Sequence, residues 1–220
     1  MTAVDTLVPG TTATHGVLAD RLSTAAATRP DATHARDQFP ATDTFLASAS
    51  RHMAAVNAVI VPAARSRVPD GDVRAREFLE QSKRLEIALA QVKAKLYGST
   101  YAIRRSWESV WEDVRLEFGA TWKLERALVN DLATHRRPDD PDWGVELYHG
   151  ELHAPTRPHP YVPHSGLRGR MARSVAVRVD RFWDATEGRM IPEPVHPHDR
   201  SHDGKIAQYF LADPHLPEEE

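Results

Sequence analysis

The stretch FLASASRHMAAVNAVIVPAARSRV, residues 45–68, decides the fold class. Its apolar stripe runs Phe45, Ala49, His52, Val56, Val59 and Ala63. Steps of three and four residues put these side chains on one face of a helix, the face buried against neighbouring helices. His52 is the one metal-ligating group on that face. Two readings are open: an inward ligand inside a helical bundle, or a core histidine held by a backbone or side-chain partner.

The flanking sequence repeats the pattern. Thr42 or Asp43 can cap this helix, which is predicted to run to about Arg67. VPDGD, residues 68–72, reads as a turn. A second helix is predicted over 72–97, with Phe78, Ser82, Leu85, Leu89, Val92 and Leu96 on its inner face and Gly98 as its stop. Ser99 is the expected cap of a third helix running to about His135, roughly 55 Å long at 1.5 Å per residue. Its stripe is Trp107, Trp111, Val114, Phe118, Thr121, Glu125, Leu128 and Leu132. Asp140 and Pro141 read as the cap and first residue of a short helix carrying WGVELYHGELH. The prolines of APTRPHPYVPHSG exclude regular structure there. A last long helix is expected from Ser165 to about Gly188, burying Met171, Val175, Val179 and Phe182.

Residues 1–40 are rich in Thr, Ala, Asp and Pro and read as a flexible N-terminal tail, with room for a helical turn at VLADRL, residues 17–22. Residues 41–190 form the predicted helical body. Residues 191–220 read as an extended C-terminal tail, with Ile206, Tyr209, Phe210 and Leu211 able to dock. Short turns between long amphipathic helices predict an all-α, up-and-down four-helix bundle with a short extra helix and extended tails. A helical hairpin completing its core as a homodimer is the alternative.

The 220 residues include no cysteine, which excludes disulfides, thiolate metal sites and a cysteine nucleophile. The formal charge of -3 supplies no global field for nucleic acid or anionic lipid. The chain has no membrane-length apolar run and no secretory signal pattern, so a cytoplasmic protein is expected. No nucleophile, base and orienting group can be named together, so it is not expected to be an enzyme.

Metal chemistry in a bundle needs carboxylates and histidines projecting inward from several helices. His52 and Glu125 lie on inner stripes, and Glu86 flanks one beside Leu85. If the helices are in register these three converge; otherwise the glutamates keep their heads in water. His159 and His164 in HPYVPH either cap the open end of the bundle as outside ligands or belong to a stiff connection. His196, His198 and His202, beside Asp199 and Asp203, form a tract that reads as adventitious metal binding. Arg104 and Arg105 beside Trp107 lack the basic helix face that nucleic-acid recognition requires.

SRHMAAVNAVIVPAA, KRLEIALAQVKAKLYG, TRPHPYVPHSGLRGR and FWDATEGRMIPEP together resemble an actinobacterial haemerythrin-like (HHE cation-binding) domain protein, over roughly residues 43–212. The resemblance implies a four-helix bundle around iron or another divalent cation, used to bind or sense oxygen or to handle iron. It places His52 at the inward histidine of a first helix. It also calls for a histidine four residues before a glutamate on later helices. Here those positions hold Ser82 with Glu86, and Thr121 with Glu125. The resemblance thus implies a site of His52, Glu86 and Glu125, with His159 and His164 as outside candidates, that is weak or empty. The expected role is a non-catalytic scaffold or interaction protein, the alternative an iron- or cation-binding protein.

Overall fold

The computed structural model describes residues 6–28, 39–96, 104–158, 177, 180 and 192–196. Five helices and no strand occur among them: α1 Leu7–Ala27, α2 Pro40–Arg67, α3 Gly71–Leu96, α4 Trp107–Thr134 and α5 Trp143–Leu152. The fold is all-α. None of these helices is long and apolar enough to cross a membrane.

Over Leu7–Ala27, α1 corrects the expectation of a flexible N-terminal tail; residues 1–5 and 29–38 lie outside the described residues. The helix buries Leu7, Thr11, Thr14, His15, Leu18, Leu22, Ala25 and Ala26, a stripe at three- and four-residue steps. Threonines hide it from a count of large apolar groups. The Thr11 hydroxyl donates to the Leu7 carbonyl at 2.7 Å, which satisfies the hydroxyl within its own helix and leaves its methyl to pack. The start of α1 is pinned by α5. Thr6 Oγ1 donates to Asp142 Oδ1 at 2.9 Å, and a Cβ at Gly144 would stand 2.3 Å from that same Thr6 oxygen.

α2 is central, packed against α1, α3, α4 and α5. Burial therefore spreads beyond its predicted stripe to Leu46, Met53, Ile60, Val61 and Ala64. Pro62 sits in its interior and is exposed. The turn into α3 depends on backbone: Asp70 has φ 54°, and a Cβ on Gly71 would meet the Ala64 carbonyl at 2.2 Å.

α4 starts later than expected. Ser106, not Ser99, caps it, accepting the Ser109 N–H at 3.1 Å; Ser99 lies outside the described residues. Its 28 residues span about 42 Å. Arg105 folds back on this start, donating to Asp113 and to the Ser109 hydroxyl, both at 2.6 Å. The cap of α5 is Asp142, not Asp140, and accepts the Gly144 N–H at 2.9 Å. Asp140 instead receives Arg67 at 2.7 and 3.0 Å, tying the end of α2 to the loop before α5. The expected helix over 165–188 lies outside the described residues except at Val177 and Asp180, both helical. Asp180 is buried and accepts the backbone N–H groups of Thr156 and Arg157 at 2.9 and 3.0 Å.

The apolar core falls into two clusters. One holds Leu18, Leu22, Phe45, Ala49, Leu85, Leu89, Trp111 and Phe118. The other holds Leu7, Val56, Ile60, Ala75, Phe78, Leu128 and Leu132. α1 and α3 run from the second to the first, and α2 and α4 run back. A polar level separates them, crossed by His15, His52, Ser82 and Glu125.

Because α1 is part of the core, Leu18→Ala is expected to cost about 2–5 kcal/mol, the range for emptying a buried leucine site. Urea unfolding of parent and variant measures this. A loss under about 0.5 kcal/mol would fit an undocked tail.

Candidate metal centre

Four helices bring one ionisable side chain each to the polar level. His15 on α1, His52 on α2, Glu125 on α4 and Glu151 on α5 are 2, 3, 2 and 5 % exposed. His52 and Glu125 meet, a convergence the sequence left conditional on helix register. Glu86 is buried on α3 but is not among the ligand atoms that converge. His159 and His164 lie outside the described residues.

His15 and Glu151 escaped the sequence reading. His15 sits on a stripe taken for a tail. Glu151 follows Trp143 and Leu147 at four-residue steps on the buried face of α5, the same signal that singled out His52.

Glu125 Oε1 is the centre of the arrangement. His52 Nε2 lies 2.9 Å from it and His15 Nε2 3.1 Å. The two imidazole nitrogens are 3.3 Å apart. On the far side of the ring, His52 Nδ1–H donates to Glu151 Oε1 at 2.6 Å. That bond fixes the ring and leaves Nε2 facing Glu125 and His15. Trp122 packs on His15 with ring centroids 4.6 Å apart.

In the metal-free protein this is a charged network. Burial works against a charged His52, but the Glu125 charge and the hydrogen bonds to Glu125 and Glu151 outweigh it. They push its pKa from 6.5 up to about 10. Burial also works against a charged Glu125, yet the His52 and His15 charges and their hydrogen bonds hold it well below the usual carboxylate range. His52 is then an imidazolium shared by two carboxylates.

The same atoms suit a cation. Bonds of about 2.0–2.1 Å to histidine nitrogen and carboxylate oxygen give ligand separations of about 2.9 Å in an octahedron and about 3.3 Å in a tetrahedron. The three separations here run from 2.9 to 3.3 Å, one face of either polyhedron. Beside that face is a cavity of about 10 Å³, lined by Met53, Leu85, Phe118, Thr121 and Trp122, about enough for one water. Among the described residues this is the one His/Glu group able to hold a metal ion. Two nitrogens and a carboxylate oxygen, without thiolate, suit iron, manganese or zinc. Glu151 then takes the place of the carboxylate that orients a ligating histidine from behind.

Compared with known proteins, the chain matches no family model, no curated protein and no solved structure.

The network sets the pH response of chelator-treated protein. His52 has a raised folded pKa, so its contribution is full below about 6.5 and is lost as pH rises towards about 10. Glu125 has a lowered folded pKa, so its contribution is full above about 4.5 and is lost as pH falls. Urea midpoints should peak near pH 5–6.5 and decline to pH 10. In His52→Leu the alkaline decline should flatten. An equal decline in both proteins would show that His52 does not carry it.

Proposed function

We propose that the protein is a haemerythrin-like four-helix bundle that binds one divalent transition-metal cation through His15, His52 and Glu125, with Glu151 orienting His52. The observation that carries this reading is the mutual spacing of three buried ligand atoms, 2.9, 3.1 and 3.3 Å, supplied by three helices. The alternating run of α1 to α4 between two apolar clusters supports the bundle. The sequence favoured a weak or empty site because Ser82 and Thr121 stand where histidines were sought. His15 completes a ligand set for one ion, with Glu151 behind His52, though not for two. The cavity beside the ligands leaves room for about one water, which favours holding or sensing a cation over turning over a substrate.

A second reading keeps the scaffold role. Both nitrogens of His52 already have carboxylate partners, so the cluster can serve as a metal-free tie between helices. The two readings differ in metal response. On the first, zinc or ferrous iron at a hundredfold excess over Kd stabilises the chelator-treated protein by about 2.7 kcal/mol. That corresponds to a Tm rise of about 5–10 °C for a chain of this size. The rise should vanish in His15→Ala and Glu125→Gln, and elemental analysis should find no more than one ion per chain. No metal-dependent rise in the parent, or the same rise in both variants, leaves the scaffold reading.

A further inference from the structure

Next to His52 in sequence, Arg51 faces a different part of the molecule. It lines a cleft with Arg21 and Thr14 of α1, Ser48 of α2 and residues 192–195. Arg51 is 9 % exposed, and Arg21 is half-buried. Burial lowers both guanidinium pKa values, the Glu151 charge offsets this only in part, and Arg21 adds to the lowering at Arg51.

The hydrogen-bond partners of this pair among the described residues are neutral, while the Glu193 carboxylate lines the same cleft and, with Glu151, raises the Arg51 pKa. Arg21 donates to the Ser48 hydroxyl at 2.6 Å. Arg51 donates to the Glu151 backbone carbonyl at 3.1 Å and to the Pro192 carbonyl at 2.6 Å. A guanidinium offers five N–H donors, so most of those on the two arginines remain for another acceptor. Neither arginine forms an ion pair with a carboxylate among the described residues; the Glu151 carboxylate is turned to His52. Two like charges from separate helices thus line one cleft, partly desolvated, with the Pro192 carbonyl on Arg51 and the Ser48 hydroxyl on Arg21.

The Pro192 oxygen belongs to a strap, residues 192–196. At its far end His196 Nε2 meets the Tyr148 hydroxyl at 2.8 Å on the exposed surface, and the rings lie 4.3 Å apart. Pro192 and Pro194 bring no N–H of their own. Beneath the strap the cleft has about 10 Å³ of free space, room for about one water, so a larger guest must displace it.

We infer that Arg21 and Arg51 form an oxyanion site for a phosphate group, and that the Pro192 carbonyl stands in for it. A planar carboxylate is satisfied by one guanidinium fork, whereas a phosphate dianion matches the charge of two and offers oxygens to both. The source is inorganic phosphate or the end of a phosphate monoester. The site goes beyond the cation reading and does not depend on it.

The test is calorimetric titration of the full-length, chelator-treated protein at fixed ionic strength with inorganic phosphate, glycerol phosphate, acetate and chloride. Saturable binding of phosphate or its monoester is expected, and the tighter of the two identifies the source. Arg21→Gln and Arg51→Lys should each weaken it about tenfold or more, the size of a lost charge-assisted pair. Tyr148→Phe, which frees His196, should tighten it about two- to tenfold. Circular dichroism of each variant confirms that it is folded. The inference is overturned if phosphate does no more than chloride, if acetate binds as tightly, or if the folded arginine variants bind like the parent. Unchanged or weaker binding in Tyr148→Phe would overturn the role of the strap.

Discussion

Glu125 places a carboxylate in the interior of the protein, and the rest of the structure answers to it. A buried carboxylate without partners would cost several kcal/mol or take up a proton. Here Oε1 receives His15 from α1 and His52 from α2, and His52 passes the demand on to Glu151 of α5. Four helices are therefore tied at one level. A shift of α1 by a single turn, about 5.4 Å, would carry His15 out of reach of Glu125 and bring Thr11 or Leu18 to that level. Apolar clusters above and below tolerate small repackings; the polar level does not. Its contribution is to register as much as to stability.

The central position of α2 explains how two different sites arise so close together. Most of its circumference is covered, so neighbouring residues point into different environments. His52 turns towards α4 and α5, and Arg51 towards the cleft beside α1. Glu151 touches both, its carboxylate on His52 and its backbone carbonyl on Arg51. Small residues allow the packing behind this. At Gly150 a Cβ would stand 3.2 Å from the Ala55 side chain, so α5 lies close on α2 where Glu151 must reach His52.

Much of the helical framework was legible. Phe45 to Ala49, Phe78 to Val92 and Trp111 to Leu132 have the periodicity of buried helix faces, and the three helices that carry them stand where that periodicity puts them. His52 and Glu125 were legible as candidates for the same reason, since an ionisable group on an apolar stripe stands out. α1 was not, because Thr11, Thr14 and His15 make half of its stripe look polar. Threonine hides its hydroxyl against its own helix, and the histidine finds its carboxylate partner 110 positions away. With α1 went His15, and the ligand set looked too poor for a metal. The cap of α5 failed for a related reason. Asp140 and Asp142 are equally good local caps, and Arg67, distant in sequence, claims Asp140.

The sequence by itself determined that the protein is helical, where α2 and α3 lie, and that His52 and Glu125 fall on the inner stripes of their helices. Those properties follow from periodicity and turn chemistry, which act over a few residues. Tertiary structure decided which inward groups share a site. It added His15 and Glu151, left Glu86 out, and set two arginines in one cleft under a proline strap. The reason is physical: the partners of a buried charge are chosen by helix register across the bundle, and local sequence carries no record of that register.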